Sequence, residues 1–523
     1  MSLAQVLDQN FRATCKIVLG KEIGSMDEWG DWLSEYAKKP IVRKSSLSGK
    51  RIIHVASNNY PENGKFLHFD EIDFNKKFEP LNINEIKDMD SIVEALQERI
   101  IYTGSVVLGN SKQVEDSTNV TDSFYIYKSN SIWKCKYMAY SSYSKGCSYL
   151  FGTHDTASSE YLLRGICIGG PRGNRRCFES SLVTDSSDIY YSLYMEGCSE
   201  CMFSFFQKGK RNLIGNLPLP KGKYLSVKRK LLEEVTGELI GKGSTLGFVD
   251  LFEKSDEEVS DEGFGAFDGE EIDKAFNNTA KVLLGRDLGN VDGYADWFAN
   301  KLDFYDLKFV KSAISGEPVP STKEYFGFTE GIKHITLGEI QAASKRGIPI
   351  NEKTDLHQLK DKLKEHTGYC PVFNQNCKKV DCPVLCVNTW NARKCTMPVL
   401  SKNVAYCFWP RESENVFGSS IMFNSSFVIK GIRSSGITRA FEVESCSNSS
   451  DIYFSHNVEN GRNCMFCFNV KNLFRGIGNA EYPVGTYSKI KHSLLEQVAS
   501  ELQSKKFIRW NIYGIGKARQ GES

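Results

Sequence analysis

A chain of 523 residues exceeds what one hydrophobic core can organise and divides into about two to four domains. Its 66 basic and 64 acidic residues leave a net charge of +2, without the basic surplus of proteins that bind nucleic acid by neutralising phosphates. Hydrophobic residues at 41% and charged residues at 25% exclude wholesale disorder. No apolar run approaches the roughly 18–20 residues that span a bilayer, so no membrane partner is expected.

The chain opens on a helical pattern. Val6, Phe11, Cys15, Val18 and Leu19 share one face, and Gly20 stands where a helix should stop. Asp8, Arg12 and Lys16 interrupt the apolar residues, unlike the basic-then-apolar order of a secretory signal. A cytoplasmic protein, or a particle assembled inside a cell, is expected, and the 16 cysteines then read as reduced thiols or metal ligands. Asp27 occupies the N-cap position of a second short helix that carries Trp32. A third helical stretch covers 82–99.

Beyond residue 105 the pattern changes. Short strand-like bursts (Phe124–Tyr127, Ser148–Phe151, Tyr161–Leu163, Asp188–Tyr191, Cys201–Phe203) alternate with Ser, Asn, Gly and Asp. Spacings of about 8–14 residues predict a rung-stacking β architecture or a twisted meander, with small or flat side chains turned inward. A last helix over 223–240 would cover the open edge of the stack.

Most of this then repeats. Phe11-Arg-Ala-Thr-Cys-Lys-Ile-Val-Leu-Gly20 returns as Phe276-Asn-Asn-Thr-Ala-Lys-Val-Leu-Leu-Gly285, and Asp27 and Trp32 return as Asp292 and Trp297, an offset of 265. Ser187-Asp-Ile-Tyr190, Cys201-Met-Phe203, Ile214-Gly-Asn216, Tyr224 and Lys228 return at an offset of 263 as Ser450-Asp-Ile-Tyr453, Cys464-Met-Phe466, Ile477-Gly-Asn479, Tyr487 and Lys491. In the middle, Cys135 and Cys147 align best with Cys395 and Cys407, at 260. Helical counterparts fall at 337–345 and 355–365, and bursts recur from Ile421–Phe423 to Cys464–Phe468. The predicted fold class is α+β, a tandem duplication of a module with N-terminal helices and a solenoid-like or meander β region closed by a C-terminal helix. Module one occupies 1–250 (helices 1–104, β-rich 105–222, closing helix 223–240) and module two 271–523 (helices 271–368, β-rich 369–485, closing helix 486–505). An acidic linker at 251–270, centred on 254–263 and without apolar period, joins them.

Chemistry common to the whole module would stand in both copies. Cys370, Cys377, Cys382 and Cys386, with His366 upstream and Cys395 downstream, could hold zinc. Only Cys382-x3-Cys386 has a suitable spacing, and copy one offers Val106 opposite Cys370, so cysteines packed as small apolar residues are preferred. Cys198-x2-Cys201 and Cys464-x2-Cys467 lie in strand-like bursts rather than at helix N-termini, which favours buried thiols over redox pairs. The glycine-rich stretch 169–176, with Arg172, Arg175 and Arg176, and Arg433 in copy two, are candidates for an anion or nucleic-acid contact, against the plainer reading of exposed turns. Glu179/Glu442 and Asp188/Asp451 are acidic pairs held in both copies, with Asp188 and Asp451 read as turn residues. No nucleophile–base–orienter set recurs.

The string Ser-Asp-Ile-Tyr, Cys-Met-Phe-x-Phe, Ile-Gly-Asn and Tyr-x3-Lys, over 178–235 and 441–498, resembles a family of uncharacterised proteins from uncultured archaea, small-genome bacteria and associated viruses. Its members are rich in Cys, Asn, Ser and Tyr, end in a similar strand–glycine–Asn–Tyr–helix sequence, and often carry a zinc-ribbon-like segment. This chain lacks the dense cysteine ladder and the ribbon spacing, and the resemblance supports fold more than activity. Duplication favours a non-enzymatic structural or assembly protein, a homo-oligomer or larger particle. A nucleic-acid or anion-binding module is the alternative, and an enzyme of unrecognised type the third.

Overall fold

The computed structural model describes residues 1–55, 59–76, 78–82, 86–255, 257–260, 268–302, 307–322, 331–351, 353–370, 372, 374–381 and 384–516. In each module four-residue strands recur every six residues, and each pairs in parallel with the strand two places on. Lys136 faces Phe124 and Ser148, while Ser142 faces Asn130 and His154. One coil is therefore twelve residues with two strands. Trp390, Lys402 and Glu414 stack the same way in the second module. The spacing is tighter than the bursts suggested, because those bursts were only the more apolar strands of a regular series. Side chains from both strand columns meet in one apolar interior, with Val120, Ile126, Ile132, Met138 and Leu150 in the first ladder and Val404, Val416, Val428 and Ile452 in the second.

The coil is held at its corners. Every third residue is left-handed: Tyr125, Lys128, Ser131, Lys134, Tyr137 and Tyr140 have φ between 42° and 59°. That conformation costs a non-glycine residue about 1–2 kcal/mol, so stacked partners must hold it. Buried serines do much of this. Ser192 Oγ accepts the amide of Ser204 one coil later at 3.1 Å and donates to the Tyr190 carbonyl at 2.7 Å. Ser117, Ser129 and Ser141 belong to the same column, and at the opposite corner Cys135 and Cys198 take the serine's place, accepting the amides of Cys147 and Lys210 at 3.4 Å. One left-handed column is aromatic in the first ladder, with Tyr137, Tyr149 and Tyr161 stacked at 5.0 and 4.7 Å. Its counterpart is a ladder of amides, Asn391 to Asn403 at 2.7 Å and Asn403 to Asn415 at 2.9 Å.

One coil of the first ladder is longer. Leu162 faces Cys177, fifteen residues on, where Val428 faces Ala440 at twelve. The offset between copies is thus 266 before the extra loop and 263 after it. Cys135 and Cys147 correspond to Ser401 and Ser413, not to Cys395 and Cys407, which occupy the opposite corner. The half-coil of six residues makes an alignment wrong by six look plausible.

Helices cover one outer face of each ladder. Leu3–Leu19 and Lys221–Lys242 pack on Phe151, Leu163, Phe178 and Tyr190 of the first. Glu270–Leu284 and Val484–Lys505 pack on Phe417, Ile429, Phe441 and Tyr453 of the second. The opening helices end on left-handed Gly20 and Gly285 as predicted. Asp27 and Asp292 are not N-caps: Ser25 and Asn290 hold those positions. Asp292 instead binds Arg393 at 2.9 Å and the Tyr406 hydroxyl at 2.5 Å, tying the second helix to the ladder.

The regions read as helical also contain small sheets, Ile41–Lys44 with Arg51–His54 and Leu307–Lys311 with Pro318–Thr322. Glu258–Val259, from the stretch read as linker, adds a strand to the latter. These segments are exchanged between modules. Ile52, Tyr60, Phe66, Met89, Ile92 and Tyr102 of copy one belong to the core of the second ladder. Ile332, Ile348, Leu356, Leu359 and Tyr369 of copy two belong to that of the first. Matched contacts mark the exchange as a pseudo-two-fold feature. Glu234 of one closing helix accepts the Leu356 amide at 2.8 Å, and Gln497 of the other accepts the Met89 amide at 3.1 Å. The left-handed turn glycines Gly215 and Gly478 admit Ile348 and Leu96, where an added Cβ would approach to 3.0 and 2.1 Å. The ladders also touch directly, through Tyr143 on Trp409 at 5.7 Å and Trp133 on Phe423 at 6.1 Å.

Two outcomes follow from this construction. Ser192→Ala strands a buried amide and should cost about 1–3 kcal/mol in urea unfolding, while Ser192→Cys should be milder. Expressed as two chains, one ending at Ser260 and one starting at Asp268, the halves should co-purify as a one-to-one complex by native mass spectrometry. Halves that fold separately as monomers would contradict the need for exchanged cover.

Candidate functional site

The four candidate zinc ligands do not form one group. Cys370 is buried with Ile335 and Ile340 beside the first ladder, and burial pushes its thiol up to about 12. Cys377 and Cys386 lie in the second ladder's core with their sulfurs 3.0 Å apart. Cys382 lies outside the described residues, as does the side chain of His366. Among the described residues no three His, Cys, Asp or Glu side chains converge as metal ligands. The separation is a consequence of the exchange, which carries Cys370 to the other module before the second ladder begins. Cys198, Cys201, Cys464 and Cys467 are all buried in ladder interiors.

The glycine–arginine loop is occupied by its own chain. The Arg172 amide donates to Asp185 Oδ1 at 2.7 Å, Arg176 grips Asp188 at 2.7 and 2.6 Å, and Arg175 lies 3.4 Å from Glu160. Asp188 is not in a turn. It sits in a strand at φ 56°, and Asp451 takes the same place, gripping Arg439 at 2.8 and 2.7 Å. Arg433 is buried against Glu444 at 2.7 Å, with the Tyr60 and Tyr513 hydroxyls each 3.1 Å away. Arg176 and Arg433 find their anions in carboxylates of their own chain.

Glu179 and Glu442 anchor equivalent buried charge pairs. Arg164 binds Glu179 and the Trp32 carbonyl, while the Tyr36 hydroxyl and Phe248 amide donate to Glu179 at 2.7 and 2.8 Å. In copy two Lys430 replaces Arg164 and donates to the Trp297, Phe298 and Asn300 carbonyls at 3.1, 3.2 and 2.5 Å. Glu442 accepts the Ile512 amide at 3.0 Å, and its other oxygen has no hydrogen-bond partner. Burial raises Glu442 to about 7 despite the charge of Lys430, and burial likewise raises Glu179. Glu444 behaves oppositely. Burial alone would raise it, but His456 and Arg433 hold it well below its usual range. The Thr103 amide donates to His456 Nε2 at 3.1 Å, so Nδ1 carries the proton shared with Glu444. An offset of 266 places Lys430 opposite Arg164, a match that the offset of 260 does not give.

An open cavity lies on the second module. About 440 Å³ lies between the end of helix Glu270–Leu284 and helix Val484–Lys505, lined by Asn463, Arg475, Tyr487, Ser488, Lys491 and His492, among others. Lys491 caps the face of Tyr453 at 4.5 Å, as Lys228 caps Tyr190 at 4.6 Å in copy one.

No protein-family model and no curated protein matches the chain. A crystal structure described as a "putative acetyltransferase" from Desulfovibrio desulfuricans G20 aligns over 90% of this chain and 78% of its own, at 6% identity and a TM-score of 0.10, a level that carries no information on fold or activity. Among the described residues no helix is long and apolar enough to cross a membrane.

The folded protein holds the Glu442 proton more tightly than the unfolded chain, whose carboxyl titrates near 4.5. Its stabilising contribution is therefore full below about pH 4.5 and is lost as pH rises through about 7. Buried His54 and His154, both pushed down to about 3, act in the opposite sense as pH falls below 6.5. Guanidinium midpoints of the parent and Glu442→Gln between pH 5 and 8 separate the terms: the variant should gain relative stability as pH rises.

Proposed function

We propose that this chain is a non-enzymatic structural protein, an intracellular pseudo-two-fold building block of a larger homo-oligomer or scaffold. The observation that carries this reading is a pair of exposed apolar positions repeated in both modules. Leu47 at 72% exposure and Ile314 at 64% tip equivalent turns of the exchanged segments. Ile17 and Val282, 43% and 47% exposed, occupy matching sites on the opening helices. Scattered surface apolar residues need no explanation, but repetition of the same ones offers two near-equivalent contact points. The buried carboxylates Glu179, Glu442 and Glu444 also serve internal partners rather than an open site. A nucleic-acid or anion-binding module built on the glycine–arginine turns draws less support, since Arg176 and Arg433 are neutralised within the chain.

Light scattering on purified protein should give multiples of 59 kDa at high concentration. Leu47→Asp with Ile314→Asp should reduce the species to a single chain. A parent protein that stays monodisperse at 59 kDa would overturn the proposal.

A further inference from the structure

The residues around Lys491 at the cavity have counterparts around Lys228 in the first module. In copy one, Lys228 lies 2.9 Å from Glu200 and 3.8 Å from Asp188, and Arg176 grips Asp188. Two cations thus face two carboxylates. Glu200 and Asn212 belong to a left-handed column, Arg176–Asp188–Glu200–Asn212, whose equivalent is Arg439–Asp451–Asn463–Arg475. Copy two therefore replaces the Glu200 carboxylate with the neutral amide of Asn463 and adds the guanidinium of Arg475. Arg439 grips Asp451, which also acts on Lys491, while Arg475 donates from Nε to the Tyr482 carbonyl at 3.4 Å, so this set holds one carboxylate for three cations.

The vacated space is real. It opens into the cavity of about 440 Å³, lined by Lys491, Asn463, Arg475 and Ser488. Tyr487, 3% exposed, also lines it and has a hydroxyl with no hydrogen-bond partner. The matching Tyr224 hydroxyl of copy one is likewise buried without a hydrogen-bond partner, so the modules differ in the Glu200-to-Asn463 and Asn212-to-Arg475 exchanges and not in the tyrosine. Burial lowers Lys491, with Asp451 opposing that shift and Arg439 reinforcing it. Arg286 and Glu496, at the cavity's rim, neutralise each other at 3.1 Å. A desolvated ammonium, a guanidinium, an amide and a free hydroxyl converge where the other module places a carboxylate.

We propose that this cavity binds a small oxyanion, the carboxylate or phosphate group of a low-molecular-weight ligand, in the place that Glu200 fills in the first module. The site is independent of the assembly reading. A charge-assisted pair to Lys491 would supply the negative charge that Glu200 gives Lys228 in the first module, with Asn463 and the buried Tyr487 hydroxyl as further donors.

The test is titration of the full chain with inorganic phosphate and with succinate by calorimetry and thermal shift, with sodium chloride at matched ionic strength as control. Saturable stabilisation by either anion beyond the chloride control is the expected result, and which one binds tells phosphate from carboxylate. Asn463→Glu rebuilds the first module's arrangement and should preserve folding while weakening binding at least about tenfold. Lys491→Met should weaken it similarly, and Glu200→Asn should open a second site. No binding by the parent protein, or binding undiminished in folded Asn463→Glu and Lys491→Met, would overturn the proposal.

Discussion

Each buried corner amide in these ladders needs an acceptor one coil earlier, and that requirement disciplines everything else. A serine or cysteine at the corner meets it by accepting from the next coil and donating back to a carbonyl two residues before. The side chain must be short, buried and repeated every twelve residues. With the amide satisfied, the backbone can take a left-handed residue at every third position, and so turn tightly enough to stack two strands per coil. The tyrosine and asparagine columns are secondary to this geometry. Once coils are in register, a residue type repeated every twelve residues stacks on itself, and aromatic stacking or amide pairing comes with little further ordering cost.

A ladder made this way has a narrow interior and two outer faces, so it depends on other elements for its apolar area. The helices supply part of the cover and the exchanged segments supply the rest. Because each module covers the other, the duplication is more than two domains on a string. The closing helices receive the incoming helix amides through Glu234 and Gln497, at matched positions. Such reciprocity ties the folding of one half to the other and makes the pseudo-two-fold relation a property of the core.

The buried charges show where the copies could diverge. Arg164 and Lys430 both anchor the carbonyls at the end of the second helix, with different donors and one fewer satisfied carboxylate oxygen in copy two. The column at Arg176 and Arg439 diverges further, from a balanced set to a cationic one. Changes of this kind leave the ladder intact because its backbone bonds do not involve those side chains.

The duplication, the opening and closing helices, their glycine stops and most strands were legible in the sequence. Each rests on local periodicity, or on residues such as Gly20 and Gly285 whose backbone preference acts without partners. The tight coil was half legible: Ser, Cys and Asn recur at six-residue intervals, but the apolar signal is strong in only some of the strands. The fate of the candidate sites was not legible. Arg176 and Arg433 looked like anion receptors because their carboxylates stand twelve and eleven residues on, at distances only the coil makes adjacent. Cys370 looked like a neighbour of Cys386 because nothing local reveals that the chain crosses to the other module. The sequence alone determined the repeated unit, since periodicity and capping are properties of neighbouring residues. The register of the coils, the exchange of cover and the pairing of buried charges were decided only in three dimensions, where packing across long separations chooses which side chains meet.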